Sequence, residues 1–378
     1  MRVLNVTSSI DLQSGGGTGE RTFQMSHALG QAGVQCTVLT LAIGLDSARI
    51  DAMRPSNMVA LPCLWRRFYV PFGGWITIDR LVRDADLIHL MGHWSVLNVL
   101  VYLAAKRAGK PYVVCPAGAL PLFGRSGWLK RAYNFLVGDA IVRNASAWIA
   151  VTPFELPQFA AYGIPSSNVL VLPNGVGEDN VSPHMPPHTD RLPGSPFILF
   201  MGRLNPIKGP DLLLEAFAKV SGRFLGHHLV FAGPDGGMLA ELTASAERLG
   251  LSHRVHFLGH VDGGEKAGAY RSAQLLVVPS RQEAMSIVAL EAGISGTPVL
   301  LTDQCGFDEI AALDPRLVVP ACSEGLAAGL LALLGNAEEL QQIGLRTRAF
   351  VRKKYAWPTI ITLYVDLYRR ILGAQSIP

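Results

Sequence analysis

One alternation of short apolar runs and amphipathic stretches occurs twice along this chain. In the first half, strand-like runs at Val3–Thr7, Cys36–Leu41, Leu87–Leu90, Tyr112–Cys115, Ala147–Val151 and Val169–Leu172 are separated by helical patterns at Thr22–Ala32, Val96–Arg107 and about Leu129–Arg143. Gly33 and Gly109 stop two of those helices, as residues that tolerate a left-handed backbone do. In the second half, runs at Phe197–Met201, His228–Ala232, Val255–Leu258, Leu275–Val278 and Val299–Thr302 alternate with helical patterns near Pro210–Ser221, Met238–Gly250, Gly264–Ser272, Ser286–Ser295 and Ser323–Leu334. Strands alternating with helices specify βαβ units, and each crossover makes the next strand parallel. Between the halves, Asn180–Pro196 holds five prolines and no periodicity, the composition of a hinge. His184 and His188 lie inside it without Cys or carboxylate partners in sequence and read as solvated.

The fold class expected is therefore α/β, with two doubly wound Rossmann-like domains facing across a cleft. The expected boundaries are 1–180 for the first domain, 181–196 for the linker and 197–357 for the second domain. Ligands of such sheets sit beyond the carboxyl ends of the strands, so the cleft is the expected site. At 378 residues and 49% apolar composition, a disordered chain is excluded. No run of about 18 consecutive apolar residues is present, so a spanning helix is not expected. The first residues, Met1–Val6, read as a strand and not as a leader. Five cysteines without a CxxC fit a reducing cytoplasm, with neither a disulfide framework nor a zinc site.

Charge divides the chain. Residues 1–177 carry 15 Lys and Arg against 9 Asp and Glu, a net +6, and the remainder carries 18 against 20, a net −2. Five of the six tryptophans lie in the first half. Trp65-Arg66-Arg67-Phe68-Tyr69 with Phe72 and Trp75, and Arg125, Trp128, Lys130 and Arg131, form two basic-aromatic clusters suited to an anionic lipid surface. Nucleic acid is the other anionic partner such a surface fits, and it is not the expected one here.

Three elements carry chemistry. Gly15–Gly19 follows the first strand and precedes a helix, so its amides can approach a phosphate. It is neither GxGxxG, because position 20 is Glu20, nor a Walker loop. Arg203 and Lys208, in Gly202-Arg203-Leu204-Asn205-Pro206-Ile207-Lys208-Gly209, project from a strand-to-helix loop and suit a diphosphate. In the third element, Glu283 precedes a helix that begins about Ala284–Ser286, and Glu291 lies two turns on. First-turn amides bind phosphate, and the flanking carboxylates can hold hydroxyl pairs. Asp84-Ala85-Asp86 precedes a strand and reads as surface rather than as a metal site.

On these motifs the chain resembles the retaining glycosyltransferases of the GT-B fold, family-4 group. The matches are Gly15–Gly19 with Glu20-Arg21, Pro173-Asn174-Gly175, the GRL…KG loop, Ala232-Gly233-Pro234, Glu283 and Glu291 as E-x7-E, and Trp357, Tyr364 and Tyr368 in the last helix. The resemblance implies a nucleotide-sugar donor with no cofactor and no metal. It implies that Arg203 and Lys208 grip the diphosphate, that Glu291 holds ribose hydroxyls and that Glu283 contacts the sugar. Amides of Met285, Ser286 and Ile287 would contact phosphate, Gly16 and Gly17 would approach from the first domain, and the helix 358–378 would pack back on that domain. The chain departs from the pattern at Glu283-Ala284-Met285-Ser286, where relatives often carry Glu-Gly-Phe-Gly. It departs again at Ala117 and Met91, where many carry histidines. His93 is then the expected acceptor-side histidine.

A retaining transfer needs charge stabilisation and positioning, which the two cations and the helix terminus supply without a metal. An SNi-like or ion-pair transfer is expected, with Glu283 as nucleophile the alternative. The acceptor expected is a saccharide, lipid-linked, in assembly of a bacterial cell-surface polysaccharide. The expected location is cytoplasmic, peripheral on the inner face of the membrane. A soluble small-molecule acceptor and a non-catalytic nucleotide-sugar-binding paralogue remain open. A nicotinamide dehydrogenase would also use two α/β domains, but it should show GxGxxG with an acidic residue about 20 on, and neither half does.

Overall fold

A computed structural model describes residues 1–11, 16–45, 47–122, 127–177 and 191–375. The chain divides into two compact units, Met1–Gly175 with Trp357–Pro378, and Val176–Ala356. The first unit is built on β1 (Arg2–Val6), β2 (Gln35–Leu41), β3 (Asn57–Leu61), a small antiparallel hairpin of β4 (Cys63–Trp65) and β5 (Val70–Pro71), then β6 (Leu87–Met91), β7 (Tyr112–Cys115), β8 (Ala147–Ala150) and β9 (Val169–Val171). Its seven-stranded sheet runs β3-β2-β1-β6-β7-β8-β9, and the pairings from β1 through β9 are parallel. The second unit carries β10 (Phe197–Met201), β11 (His228–Ala232), β12 (Val255–Gly259), β13 (Leu275–Val278), β14 (Val299–Thr302) and β15 (Val318–Val319). They form one parallel sheet in the order β12-β11-β10-β13-β14-β15.

Both orders have the doubly wound form, with the direction of winding reversed between β1 and β6 and between β10 and β13. The strands read as continuous apolar runs because helices cover both faces of a parallel sheet. β6, β10, β13 and β14 are buried at every residue. The β3 strand and the β4–β5 hairpin were not legible in sequence, because β3 is only partly buried and the hairpin strands are very short.

The unit boundaries differ from the sequence expectation. The chain enters the second unit after Gly175 and returns to the first at Trp357, so residues 191–196 belong to the second unit; 178–190 lie outside the described residues, His184 and His188 among them. The return is fixed by contact. A Cβ on Gly175 would stand 2.4 Å from the Trp357 ring, and Trp357 Nε1 donates to Gln24 Oε1 at 2.9 Å. The last helix, Trp357–Gln375, buries Tyr364 and Tyr368 against the first unit. Arg21 donates to the Tyr364 hydroxyl at 2.5 Å, and His89 Nδ1 lies 2.7 Å from the Tyr368 hydroxyl.

Candidate active site

The loops that leave β10 and β13 flank the switch point of the second sheet, where doubly wound folds bind their ligands. The loop after β10 holds Arg203 and Lys208. Arg203 is exposed and Lys208 is half-buried. Asn205 shapes the loop by accepting the Lys208 amide on its Oδ1 at 3.0 Å. The two loops are joined tightly. Arg281 donates its amide to the Ile207 carbonyl at 2.8 Å and its guanidinium to the Pro206 carbonyl at 2.7 Å. It also grips Asp211 with both terminal nitrogens, at 2.9 and 2.6 Å. Gly209 has φ +65°, and a Cβ there would lie 2.1 Å from the Pro279 carbonyl oxygen, so only glycine fits.

Glu283 stands where the two loops meet. Its Oε1 accepts from Lys208 Nζ at 2.8 Å and from the Ser280 hydroxyl at 2.5 Å. Its amide donates to the Gln304 carbonyl at 2.9 Å. The following helix, Ile287–Ser295, begins one residue later than expected, because Ser286 is its N-cap, with the Ser286 hydroxyl accepting the Ala289 amide at 3.4 Å. This corrects the expectation for Ser286. Its own amide donates to the Cys305 carbonyl at 3.0 Å and is not open to a ligand. Met285, expected beside it, is buried. Among the described residues nothing accepts from the amides of Ile287 and Val288. Both residues are half-exposed, so they are the first-turn donors open to an anion.

Glu291 is not an open carboxylate. It is 2% exposed. Lys266 Nζ lies 2.8 Å from both of its oxygens, and the Tyr270 hydroxyl donates to Oε2 at 2.8 Å. Lys266, Tyr270, Ser280 and Asn205 were missed in sequence. Lys266 and Tyr270 are spaced i, i+4 on the helix Gly263–Ser272, a signal for one shared face.

In the first unit, Gly16 and Gly17 are the first two residues of the helix Gly16–Gln31, not a free loop. Gly15 lies outside the described residues. Gly19 packs on the chain after β1, where a Cβ would meet the Ser9 carbonyl oxygen at 2.7 Å. The carboxyl end of β1 precedes this helix and that of β6 precedes His93, so both lie at the switch point of the first sheet.

His93 is 4% exposed, which corrects its expected place on an acceptor face. Its Nε2 lies 2.9 Å from Asn134 Oδ1, and Trp94, Tyr133 and Tyr162 meet its ring edge-on. Asn134 begins a widened, π-type turn, Asn134–Gly138, inside the helical stretch that starts at Gly127. Burial, only partly offset by the Asn134 contact, pushes His93 down to about 4, so it is neutral near pH 7. His93 props the loop after β6 and is closed to solvent. Asp86 of the D-x-D pattern is tied to the Arg2 amide and guanidinium, each at 2.8 Å. Among the described residues no three His, Cys, Asp or Glu are grouped to hold a metal ion.

Two cations, two open amides and a carboxylate held between the loops form a site able to bind a diphosphate and a polyol. The family described as Glycosyl transferases group 1 matches residues 186–350, and the one described as Glycosyl transferase 4-like domain matches residues 16–175. A D-inositol 3-phosphate glycosyltransferase 2 of Catenulispora acidiphila is 32% identical over 309 residues, 75% of this chain and 70% of that protein. A D-inositol 3-phosphate glycosyltransferase of Nocardia farcinica is 34% identical over 227 residues, 55% of this chain; the chain spans about half of that relative, 49% of its length. Among solved structures, Anabaena HepE in complex with UDP-glucose has a TM-score of 0.77 at 19% identity, covering 97% of this chain and 99% of that one.

Proposed function

Since this chain belongs to the group 1 glycosyl transferases, we propose that it is a retaining, metal-independent hexosyltransferase using a nucleotide-diphosphate sugar. One observation carries the reading: Lys208 and Glu283 meet at the β10–β13 switch point, on loops that also present Arg203 and the Ile287 and Val288 amides. Arg203 and Lys208 neutralise the departing diphosphate, and the amides of the helix terminus share that charge. Glu283 orients the sugar, and Glu291 reads the ribose. The acceptor hydroxyl attacks the face that the diphosphate leaves, and a phosphate oxygen takes its proton. In the first unit, the helix start at Gly16 and Gly17 is itself a place that favours an anion. The UDP-glucose bound by the HepE relative favours a uridine donor. Retention of both glutamates and both cations argues against a non-catalytic paralogue.

For the acceptor, we propose a lipid-linked saccharide in bacterial surface-polysaccharide assembly, reached from the inner membrane face. The two basic-aromatic clusters follow β3 and β7, on either side of the first sheet's switch point. They expose Ile76 at 85% and Phe135 at 87%, with Leu64, Trp65, Phe72, Trp128 and Leu136 also exposed. Residues 62–78 and 116–138 contain no Asp or Glu, so nothing in either stretch repels an anionic headgroup. Arg125 lies outside the described residues. Among the described residues no helix is long and apolar enough to cross a membrane. A second reading, a small phosphorylated polyol acceptor, is favoured by the names of the Catenulispora and Nocardia relatives.

The test is a thermal-shift and turnover panel of UDP-, GDP-, ADP- and dTDP-sugars, with liposome sedimentation alongside. A ligand at about a hundred times its dissociation constant adds about 2.7 kcal/mol. A shift confined to one nucleotide series names the donor, and no shift with any sinks the donor reading. Absence of binding to anionic vesicles, with turnover on a soluble polyol phosphate, replaces the lipid acceptor by the polyol.

A further inference from the structure

Glu291 is a buried carboxylate between two helices, Gly263–Ser272 and Ile287–Ser295. A carboxylate offers about four acceptor positions. Tyr270 fills one from beneath. It is fully buried, and burial together with the neighbouring carboxylate pushes its hydroxyl well above the ordinary tyrosine range. It therefore remains a donor, and the bond to Oε2 fixes the plane of the carboxylate. Thr297 holds Tyr270 in turn, its hydroxyl donating to the Tyr270 carbonyl at 2.6 Å.

Lys266 differs. Its ammonium spans both Glu291 oxygens, yet its side chain is 28% exposed, on a long flexible stem that can swing outward. One partner is fully buried and the other is partly exposed. A buried carboxylate needs a counter-charge when its site is empty, and Lys266 supplies it.

We propose that Tyr270 and Lys266 are positioning residues that set Glu291 for a vicinal diol, and so make the site select ribonucleotide over 2′-deoxyribonucleotide donors. Tyr270 holds the carboxylate plane. Lys266 occupies the diol's place and yields it on binding, remaining close enough to keep the carboxylate charged. The proposal rests on the nucleotide-sugar reading above. It adds which residues give that reading its sugar selectivity.

The experiment compares binding of UDP, GDP and ADP with their 2′-deoxy counterparts, in the wild type and in Tyr270→Phe, Lys266→Met and Lys266→Arg. The wild type is expected to favour the ribo form of its preferred base by roughly tenfold or more, the scale of a hydrogen bond to a charged group. Tyr270→Phe and Lys266→Met are expected to weaken the ribo form and leave the deoxy form nearly unchanged, so the ratio collapses toward one. Lys266→Arg is expected to retain it. Deoxynucleotide binding doubles as the control for folding. Equal losses for both forms, with the ratio intact, would mean that the two residues only support the fold, and overturn the proposal alone. A wild type that binds none of the six diphosphates overturns this proposal, and one that binds no dTDP-sugar either overturns the donor reading with it.

Discussion

Lys208 Nζ and Glu283 Oε1 lie 2.8 Å apart, joining the loop after β10 to the loop after β13. The pair brings a phosphate-seeking cation and a hydroxyl-seeking carboxylate to one point. The Lys208 side chain is 34% exposed and that of Glu283 only 9%, so the cation is the solvent-facing member of the pair. Lys208 is therefore the partner that can turn to a ligand most readily.

Lys208→Ala should accordingly weaken the nucleotide-sugar roughly 10- to 100-fold, the loss of a charged hydrogen bond, while melting moves by no more than a degree or two. Arg203→Ala should add to it. Titration calorimetry with the preferred donor reads both. Unchanged affinity in the double variant would remove the loop from the site.

Glu283→Gln separates binding from chemistry. The amide keeps the shape and still accepts from Ser280, which donates at 2.5 Å, but it loses the charge. The expected result is donor affinity within a few-fold and kcat lower by at least about a hundredfold, the scale for losing one preorganised electrostatic group. Ser280→Ala, which frees the carboxylate to rotate, should lower kcat less. Steady-state kinetics with saturating donor decides it, and equal falls in kcat for both variants would contradict the order.

Gly209→Ala tests the join between the loops. The new Cβ would stand 2.1 Å from the Pro279 carbonyl oxygen at φ +65°. Either the loops separate or the backbone strains, at about 1–3 kcal/mol. Melting should fall by several degrees and donor affinity with it. Gly163→Ala, also at positive φ but with open space around its Cβ, should lower stability with donor affinity unchanged.

Acid should destabilise the first unit through its buried histidines. Burial holds His93 at about 4, below the ordinary 6.5, and burial followed by the nearby Arg21 charge lowers His89 as well. Between about pH 6.5 and 4 the unfolded chain binds a proton at His93 that the folded chain refuses. Stability is thus fully present above 6.5 and is lost as pH falls through that window, by at most about 3 kcal/mol for His93. Melting curves from pH 7.5 to 4 should show the decline, and His93→Gln should make it shallower. Parallel slopes would count against a buried neutral His93.

Much of the fold was legible. β7, β10, β11, β13 and β14 fall on the apolar runs read from sequence, because strands covered on both faces must be apolar throughout. The hairpin was not, since strands of three and two residues carry no such run, and β3 offers only Met58–Leu61, half-buried at the edge of its sheet. In the site, Arg203, Lys208, Glu283 and Glu291 stood out because loop cations between glycines and carboxylates spaced along a helix are local patterns. Their partners did not. Lys266 and Tyr270 reach Glu291 from a different helix, and nothing in the spacing around Glu291 announces them.

By itself the sequence determined the two α/β units, the loops that carry charge and the helix terminus beside Glu283. Each follows from continuous apolar runs, from helical periods of about 3.6 residues and from where glycine and proline interrupt them. The tertiary structure decided which of those groups are open. It seated Lys208 on Glu283, closed Glu291 under Lys266 and Tyr270, committed the Ser286 amide to Cys305 and buried His93 among aromatic rings. Desolvation and pairing depend on neighbours from distant strands and helices, and strand order, not local period, chooses those neighbours.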